Sequence, residues 1–226
     1  MEADYRTEAW IQWCPGCGNY GILLYYIKGS NVHTIHGRAI PVASGIKLAN
    51  PELEVVVVGG DGDLLSIGAG HFLALGRRNL DIAVILSDNS VYGLTKGQAG
   101  PTLPYSVKTK ALPYPNVHER IDPVDIAIVA GYTFVARAYA YHVEKTKDLI
   151  KEAIVHRGSS FVQVIQPCPT YNDKMTPKSI ESKISYEPKE GKIFLGVIYK
   201  IERETFEERI EKITPGYLKN PPSKRS

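Results

Sequence analysis

The sequence has little of several features that would each have fixed its class. Three cysteines in 226 residues are too few for a disulfide-stapled secreted scaffold. No stretch approaches the roughly 20 consecutive apolar residues of a membrane-spanning helix. Met1-Glu2-Ala3-Asp4-Tyr5-Arg6 lacks the basic start and apolar core of a secretory leader. There is no internal repeat and no low-complexity tract. The net charge is only +3, and no basic run with interleaved aromatics precedes Lys219 to Arg225. That tail, with Pro221-Pro222 and Ser223, reads as a frayed terminus. These absences make a cytoplasmic protein, with no nucleic-acid or membrane partner, the simplest account. At 43% hydrophobic residues the chain can fill a core, and its length suits one large domain or two small ones; we read residues 1–226 as a single domain.

What is present is concentrated between Val55 and Gly97. The apolar run Val55-Val56-Val57-Val58 breaks into Gly59-Gly60-Asp61-Gly62-Asp63. Apolar residues from Leu64 to Leu75 then recur at helical spacing, Asn79 ends that pattern, and Ile82-Ala83-Val84-Ile85-Leu86 leads into Ser87-Asp88-Asn89. The pattern predicts strand, helix, strand, with both strands apolar on both faces as in a covered parallel sheet. A right-handed crossover makes such strands parallel. Asp61 and Asn89 then both lie at the carboxyl edge, where open α/β sheets bind ligands. A carboxylate and an amide oxygen there, beside Gly-rich backbone and a helix N-terminus, suit a hard cation carrying a diphosphate. Gly-Asp-Gly with Asp-Asn beyond it, Asp61 and Asn89 being 28 residues apart, resembles the thiamine-diphosphate signature. A lone Gly-Asp-Gly would be an ordinary turn; the flanking strands and the second motif give it weight.

Elsewhere, Trp13-Cys14-Pro15-Gly16-Cys17-Gly18 places two thiols three residues apart, and a short helix is expected from Gly18 to Lys28. Such a pair suits an iron–sulfur cluster, a zinc ion, a redox dithiol or simply a packed turn; the dithiol reading lacks the strand that usually precedes it. The third cysteine lies in Gln166-Pro167-Cys168-Pro169, a rigid loop after the apolar run Phe161 to Ile165. His33, His36 and Arg38 precede a helix expected over Val42 to Ala49, a placement suited to a phosphate. Leu94 to Thr102 is a Gly-rich loop carrying Lys96, able to close over a cofactor or meet a substrate carboxylate. Helices are expected at Val124 to Ala130, Val143 to His156 and Thr205 to Ile213, with strands at Thr133 to Arg137 and Lys192 to Lys200. Glu207, Glu208, Arg209 and Lys212 read as a solvated helix face.

Taken in order, Trp-Cys-Pro-Gly-Cys-Gly, His-Thr-Ile-His-Gly-Arg-Ala, Gly-Gly-Asp-Gly-Asp, Asp-Asn-Ser-Val-Tyr-Gly-Leu-Thr-Lys-Gly-Gln and Gln-Pro-Cys-Pro-Thr-Tyr-Asn resemble the β subunit of 2-oxoacid:ferredoxin oxidoreductases over most of the chain. The resemblance implies an α/β thiamine-diphosphate-binding fold, a mostly parallel sheet covered by helices on both faces. It implies that Asp61, Asn89 and the Val91 carbonyl hold Mg²⁺. His36, Gly62, Asp63, Gly93 and Leu94 would bind thiamine diphosphate, Cys14, Cys17 and Cys168 would ligate a [4Fe-4S] cluster, and Lys96 would face the substrate. The implied reaction is coenzyme A-dependent oxidative decarboxylation of a 2-oxoacid such as pyruvate or 2-oxoglutarate, with electrons leaving through the cluster to ferredoxin. The implied assembly is a heterodimer with an α (or fused α/γ) subunit that supplies the activating Glu, so the chain alone would be inactive.

Two departures stand out. The family carries a strand and a Gly-x-Gly-Cys-Ser loop ahead of its His-Gly-Arg motif, whereas Lys28-Gly29-Ser30-Asn31-Val32 joins the two sides directly here. A helical insert of the family is missing near Glu190-Gly191. Either the chain is truly trimmed, and keeps three cluster ligands and an incomplete pocket, or those segments of the protein are left out of this sequence, the reading we favour. Two other readings stay open: a cluster-free thiamine decarboxylase or synthase subunit, and a non-catalytic subunit in which the cysteines hold zinc.

Overall fold

A computed structural model describes Cys17 and residues 30–224. The helix expected from Gly18 to Lys28, and Cys14, lie outside the described residues. From residue 39 the chain runs α1 (Ala39–Ala49), β1 (Val56–Gly60), α2 (Ala69–Arg78), β2 (Ala83–Asp88), β3 (Val91–Tyr92), β4 (Gln98–Ala99) and α3 (Pro123–Ala130). There follow β5 (Phe134–Tyr139), α4 (Val143–Val155), β6 (Ser160–Ile165), α5 (Pro177–Glu181), β7 (Ile184–Ser185), β8 (Ile193–Phe194), β9 (Gly196–Lys200) and α6 (Phe206–Ile213).

The central sheet has the order β1-β2-β6-β5-β9, parallel throughout except for β9, which runs antiparallel to β5. Its two faces follow from the period of two along each strand. Val84, Leu86, Val135 and Phe161 point to the side of α1, α2 and α3. Ile85, Phe134, Ala136, Val162 and Val164 point to the side of α4, against Leu149, Ile150 and Ala153. The expected sheet with helices on both faces is therefore present. The expectation of two doubly covered strands holds for β2 only. β1 forms the edge among the described strands, and its Val56 and Val58 are 40% and 37% exposed.

Local chemistry sets the element ends. Asp122 caps α3 by accepting from Val124 N–H at 3.0 Å, Pro123 starts the helix, and Gly131 ends it. Asn79 closes α2 in the left-handed region, at φ 56°. The helix expected from Val42 begins earlier, at Ala39; Pro41 sits in its first turn, where a missing N–H breaks no helical bond. The helical stretch after Asp63 is divided: Asp63–Ile67 is a π-helical turn, closed by Gly68 N–H to the Asp63 carbonyl at 2.8 Å, before α2 begins. The strand expected over Lys192 to Lys200 is likewise two pieces, because β8 pairs with β7 and β9 with β5.

Two expectations about the surface fail. Glu207 is not solvated: it is 3% exposed, and its Oε1 accepts the Asp81 N–H, because the first turn of α6 abuts the entry to β2. The carboxyl-terminal segment is not frayed over its described part. Within the tail Pro221 is buried, Pro222–Lys224 forms a 3₁₀ turn and Lys224 pairs with Glu52; just ahead of it, Tyr217 is buried and donates to the Leu48 carbonyl at 2.7 Å.

Candidate functional site

The register of β1 on β2 aligns Gly60 with Ser87, so the next residues out, Asp61 and Asp88, leave the carboxyl edge side by side. Both are buried, at 1% and 4% exposure. Thr102 Oγ1 bridges them, 3.1 Å from Asp61 Oδ2 and 2.6 Å from Asp88 Oδ1. Asp88 also accepts from Ser90 N–H at 3.2 Å and from Gln163 Nε2 at 2.7 Å. Burial, and then the neighbouring Asp88 charge, hold the Asp61 carboxyl well above the usual carboxylate range. Asp88 is also raised by burial, against the opposing hydrogen bonds from Thr102 and Gln163. A cation at this edge would relieve both effects. Gly100 permits the approach: a Cβ there would fall 2.0 Å from Asp61 Oδ2.

Asn89 follows Asp88 and is half-buried. Its Oδ1 accepts the Val91 N–H at 3.0 Å and keeps a second lone pair, while its carbonyl accepts from Asn172 Nδ2 at 3.0 Å. Among the described residues, no three His, Cys, Asp or Glu side chains gather into a metal-binding group. A cation here would therefore rest on Asp61, on the Asn89 amide and on backbone carbonyls such as that of Val91. Such hard oxygen donors fit Mg²⁺, which keeps further positions for water and phosphate.

A second cluster adjoins the first. Asp63 Oδ1 accepts from Gly37 N–H at 2.6 Å and lies 3.0 Å from His36 Nδ1. The His36 ring is 6.0 Å from that of Tyr92, whose hydroxyl reaches the Gly62 carbonyl at 3.5 Å. A side chain at Gly62 would strike the Tyr92 ring, its Cβ falling 2.3 Å from the nearest ring carbon. The fold thus brings His36, Gly62 and Asp63 together next to Asp61. Gly93 and Leu94 lie in the turn joining β3 to β4, with Leu94 96% exposed. Lys96, also exposed, has φ 78° and donates its N–H to the Gly93 carbonyl at 3.1 Å. Gly93 lies beside the Asn89 side chain, a Cβ there falling 3.9 Å from Nδ2, while Leu94 and Lys96 are on the surface.

Cys17 and Cys168 lie at the same edge. Cys168 is buried in the loop after β6, and Gln166, two residues earlier, donates through Nε2 to Cys17 Sγ at 3.6 Å. Gln166 N–H in turn donates to the Asp88 carbonyl at 2.8 Å. Burial first, and then the charge of Cys17, raise the Tyr141 hydroxyl's pKa.

Sequence reasoning did not identify Gly100, Thr102, Gln163, Arg137, Tyr92 or Asn172 as site residues. Two carried a signal: Gln163 interrupts the apolar run Phe161 to Ile165, and Arg137 interrupts Phe134 to Tyr139. The two stand opposite one another in the β5–β6 register, and Arg137 Nε donates to Gln163 Oε1 at 2.6 Å.

Residues 16–164 match the family described as thiamine pyrophosphate enzyme, C-terminal TPP binding domain. The chain is 51% identical to subunit beta of 2-oxoacid:ferredoxin oxidoreductase 2 from Aeropyrum pernix, over 98% of this chain and 91% of that one. It is 44% identical to the 2-oxoacid:ferredoxin oxidoreductase subunit beta of Saccharolobus solfataricus, over 98% and 92%. The solved 2-oxoglutarate:ferredoxin oxidoreductase from Magnetococcus marinus, with 2-oxoglutarate, coenzyme A and succinyl-CoA bound, has the same fold. Its TM-score is 0.89 at 32% identity, over 93% of this chain and 88% of that one. The Aeropyrum match spans 280 positions against 226 residues here, so at least 54 positions of that relative have no counterpart in this chain. That shortfall is large enough to contain both departures, at residues 28–32 and at Glu190-Gly191. The chain belongs to the β subunits of the 2-oxoacid:ferredoxin oxidoreductases, enzymes in which it acts with a partner subunit, and it carries their thiamine-pyrophosphate-binding domain.

Proposed function

We propose that this chain, as a single domain, binds Mg²⁺ and thiamine diphosphate at the carboxyl edge of its sheet for the CoA-dependent oxidative decarboxylation of a 2-oxoacid. The observation that carries the reading is the pairing of strand ends: Asp61 and Asp88-Asn89 emerge side by side, with His36, Gly62 and Asp63 adjoining. Asp61, Asn89 and the Val91 carbonyl hold the cation. Gly62 and Gly93 offer backbone to the cofactor, Gly93 with open space at its Cα and Gly62 with the Tyr92 ring packed against it. His36 and Asp63 fix each other at the mouth, and Leu94 and Lys96 form the exposed margin facing substrate. When bound, thiamine diphosphate supplies the electron sink that lets a 2-oxoacid lose CO₂. The partner α subunit provides the carboxylate that activates it, and coenzyme A accepts the acyl group.

Cys14, Cys17 and Cys168 are the proposed ligands of a [4Fe-4S] cluster that passes electrons to ferredoxin. A cubane cluster normally takes four thiolates, and this chain has three cysteines. On its own the donor set is one ligand short. That count is also the observation favouring a cluster-free subunit.

The test is 2-oxoacid-dependent reduction of ferredoxin by the anaerobically purified complex with its partner, followed with pyruvate and 2-oxoglutarate, alongside iron, zinc and acid-labile sulfide analysis. Activity that needs thiamine diphosphate, Mg²⁺ and the partner supports the reading, with about four irons per chain supporting the cluster. Turnover by the isolated chain contradicts the division of labour. Bound thiamine diphosphate without iron identifies the cluster-free subunit, and zinc without iron a structural metal.

A further inference from the structure

The hydrogens around Asp61 can be counted one by one. Thr102 Oγ1 lies 2.6 Å from Asp88 Oδ1, 3.0 Å from Ser90 Oγ and 3.1 Å from Asp61 Oδ2. A hydroxyl carries one hydrogen. The contact to Asp88 has the short length of a charge-assisted O–H···O⁻ bond, so the hydrogen belongs there. Asp61 Oδ2 takes the longer, weaker contact of the same hydroxyl.

The choice of Asp88 is enforced from behind. Arg137 Nε is a donor only and sits 2.6 Å from Gln163 Oε1, which turns the Gln163 amide nitrogen toward Asp88 Oδ2 at 2.7 Å. Arg137 is itself fixed, because Nη2 contacts both oxygens of Asp122, at 3.0 and 3.3 Å, and Asp122 caps α3. The chain of contacts thus runs from a helix cap through Arg137, Gln163 and Asp88 to Thr102. Its effect is to fix the Thr102 hydroxyl between the two carboxylates, and so to hold Asp61 Oδ2 in place for a cation.

We propose that Thr102 is a positioning residue for the cation ligand Asp61, and that Arg137 and Gln163 act through Asp88 to set the direction of its hydroxyl. The inference rests on Asp61 being a cation ligand. It adds three residues to the site, none of which touches the cation.

The test uses the complex with its partner, stripped of metal and cofactor. Thiamine diphosphate binding is followed by protein fluorescence while MgCl₂ is titrated. Thr102→Val keeps the shape and removes the hydroxyl, and should raise the Mg²⁺ midpoint about 10- to 100-fold, the usual effect of losing an outer-shell partner. Thr102→Ser, which restores the hydroxyl, should stay within about threefold of wild type on the same scale. Gln163→Met, which removes the donor to Asp88 at a different strand, should shift the midpoint in the same direction. The melting temperature of the metal-free complex separates this effect from misfolding. A wild-type midpoint in Thr102→Val, or an equal shift in Thr102→Ser, overturns the proposal while leaving Asp61 as ligand. Thiamine diphosphate binding by wild type that ignores Mg²⁺ overturns the underlying assignment instead.

Discussion

The two ends of the central sheet are both polar and both buried, yet they are built to opposite ends. At the amino edge, Asn79 precedes β2, Thr133 precedes β5 and Ser159 precedes β6, and one amide ties them together. Asn79 Nδ2 donates to the carbonyls of Arg203 and Glu204, both at 3.1 Å, and Oδ1 accepts from Thr133 Oγ1 and from the N–H and hydroxyl of Ser159. Beside it the buried Lys47 ammonium meets Asp81 at 2.9 Å and the Leu53 carbonyl at 2.9 Å. Each charge there has an opposite charge or a donor close by, with the Glu207 Oε2 atom as the exception. At the carboxyl edge, two buried carboxylates share one hydroxyl, and the nearest guanidinium, Arg137, reaches Asp88 only through Gln163. The amino edge is a closed clasp that stabilises the fold. The carboxyl edge is left with two buried carboxylates and no cation directly against them, the condition of a site that awaits a cation.

Substitutions that exchange stability for binding break this comparison most directly. Asp61→Asn should have the largest effect on binding: the Mg²⁺ midpoint for thiamine diphosphate should rise by more than the ~10–100-fold expected of an outer-shell change. The metal-free protein should melt at least as high as wild type, because a buried carboxylate beside another has been neutralised. Asn79→Ala should do the reverse. Stranding Arg203, Glu204, Thr133 and Ser159, and placing Ala at φ 56°, should destabilise the fold by about 3 kcal/mol or more. Chemical denaturation measures that loss, and the Mg²⁺ midpoint of the remaining folded protein should not move.

The smallest effect sharpens the comparison at its exception. Burial raises the pKa of Glu207, so the folded state keeps that proton to a higher pH than the unfolded chain does. The sign follows: Glu207 does not weaken the fold below the ordinary glutamate range, and stability falls as pH rises from there to the raised value. Glu207→Gln should therefore increase the melting temperature at about pH 7 and change it little at about pH 4. A scan of melting temperature against pH for both proteins decides it.

Much of this architecture was legible in the sequence because parallel strands write themselves as apolar runs. Val84, Leu86 and Ile85 needed only their period to assign faces. The position of Asp61 and Asn89 at strand ends was legible for the same reason, since each lies three residues beyond such a run. What the sequence concealed arises from contacts between segments distant along the chain. Thr102 and Gly100 belong to the Gly-rich loop that the sequence offers as a cover for a cofactor, but nothing in their neighbours singles them out as the residues that meet Asp61. Gln163 and Arg137 stood out as polar residues in apolar strands, but their joint purpose needs the strand order that sets β6 between β2 and β5. Glu207 was misread because helix charge patterning tells which residues share a face and not which turn abuts another element. Cys17 and Cys168 meet the same strand end although 151 positions separate them.

The most direct measurement is calorimetric titration of thiamine diphosphate into the metal-stripped complex, with and without Mg²⁺, for wild type and for Asp61→Asn. The account predicts one cofactor bound per chain, binding that requires the cation, and loss of that requirement's benefit in Asp61→Asn. Equal cofactor affinity in wild type and Asp61→Asn at saturating Mg²⁺ would contradict it, and would leave the unpaired carboxylate at the carboxyl edge without the role assigned to it.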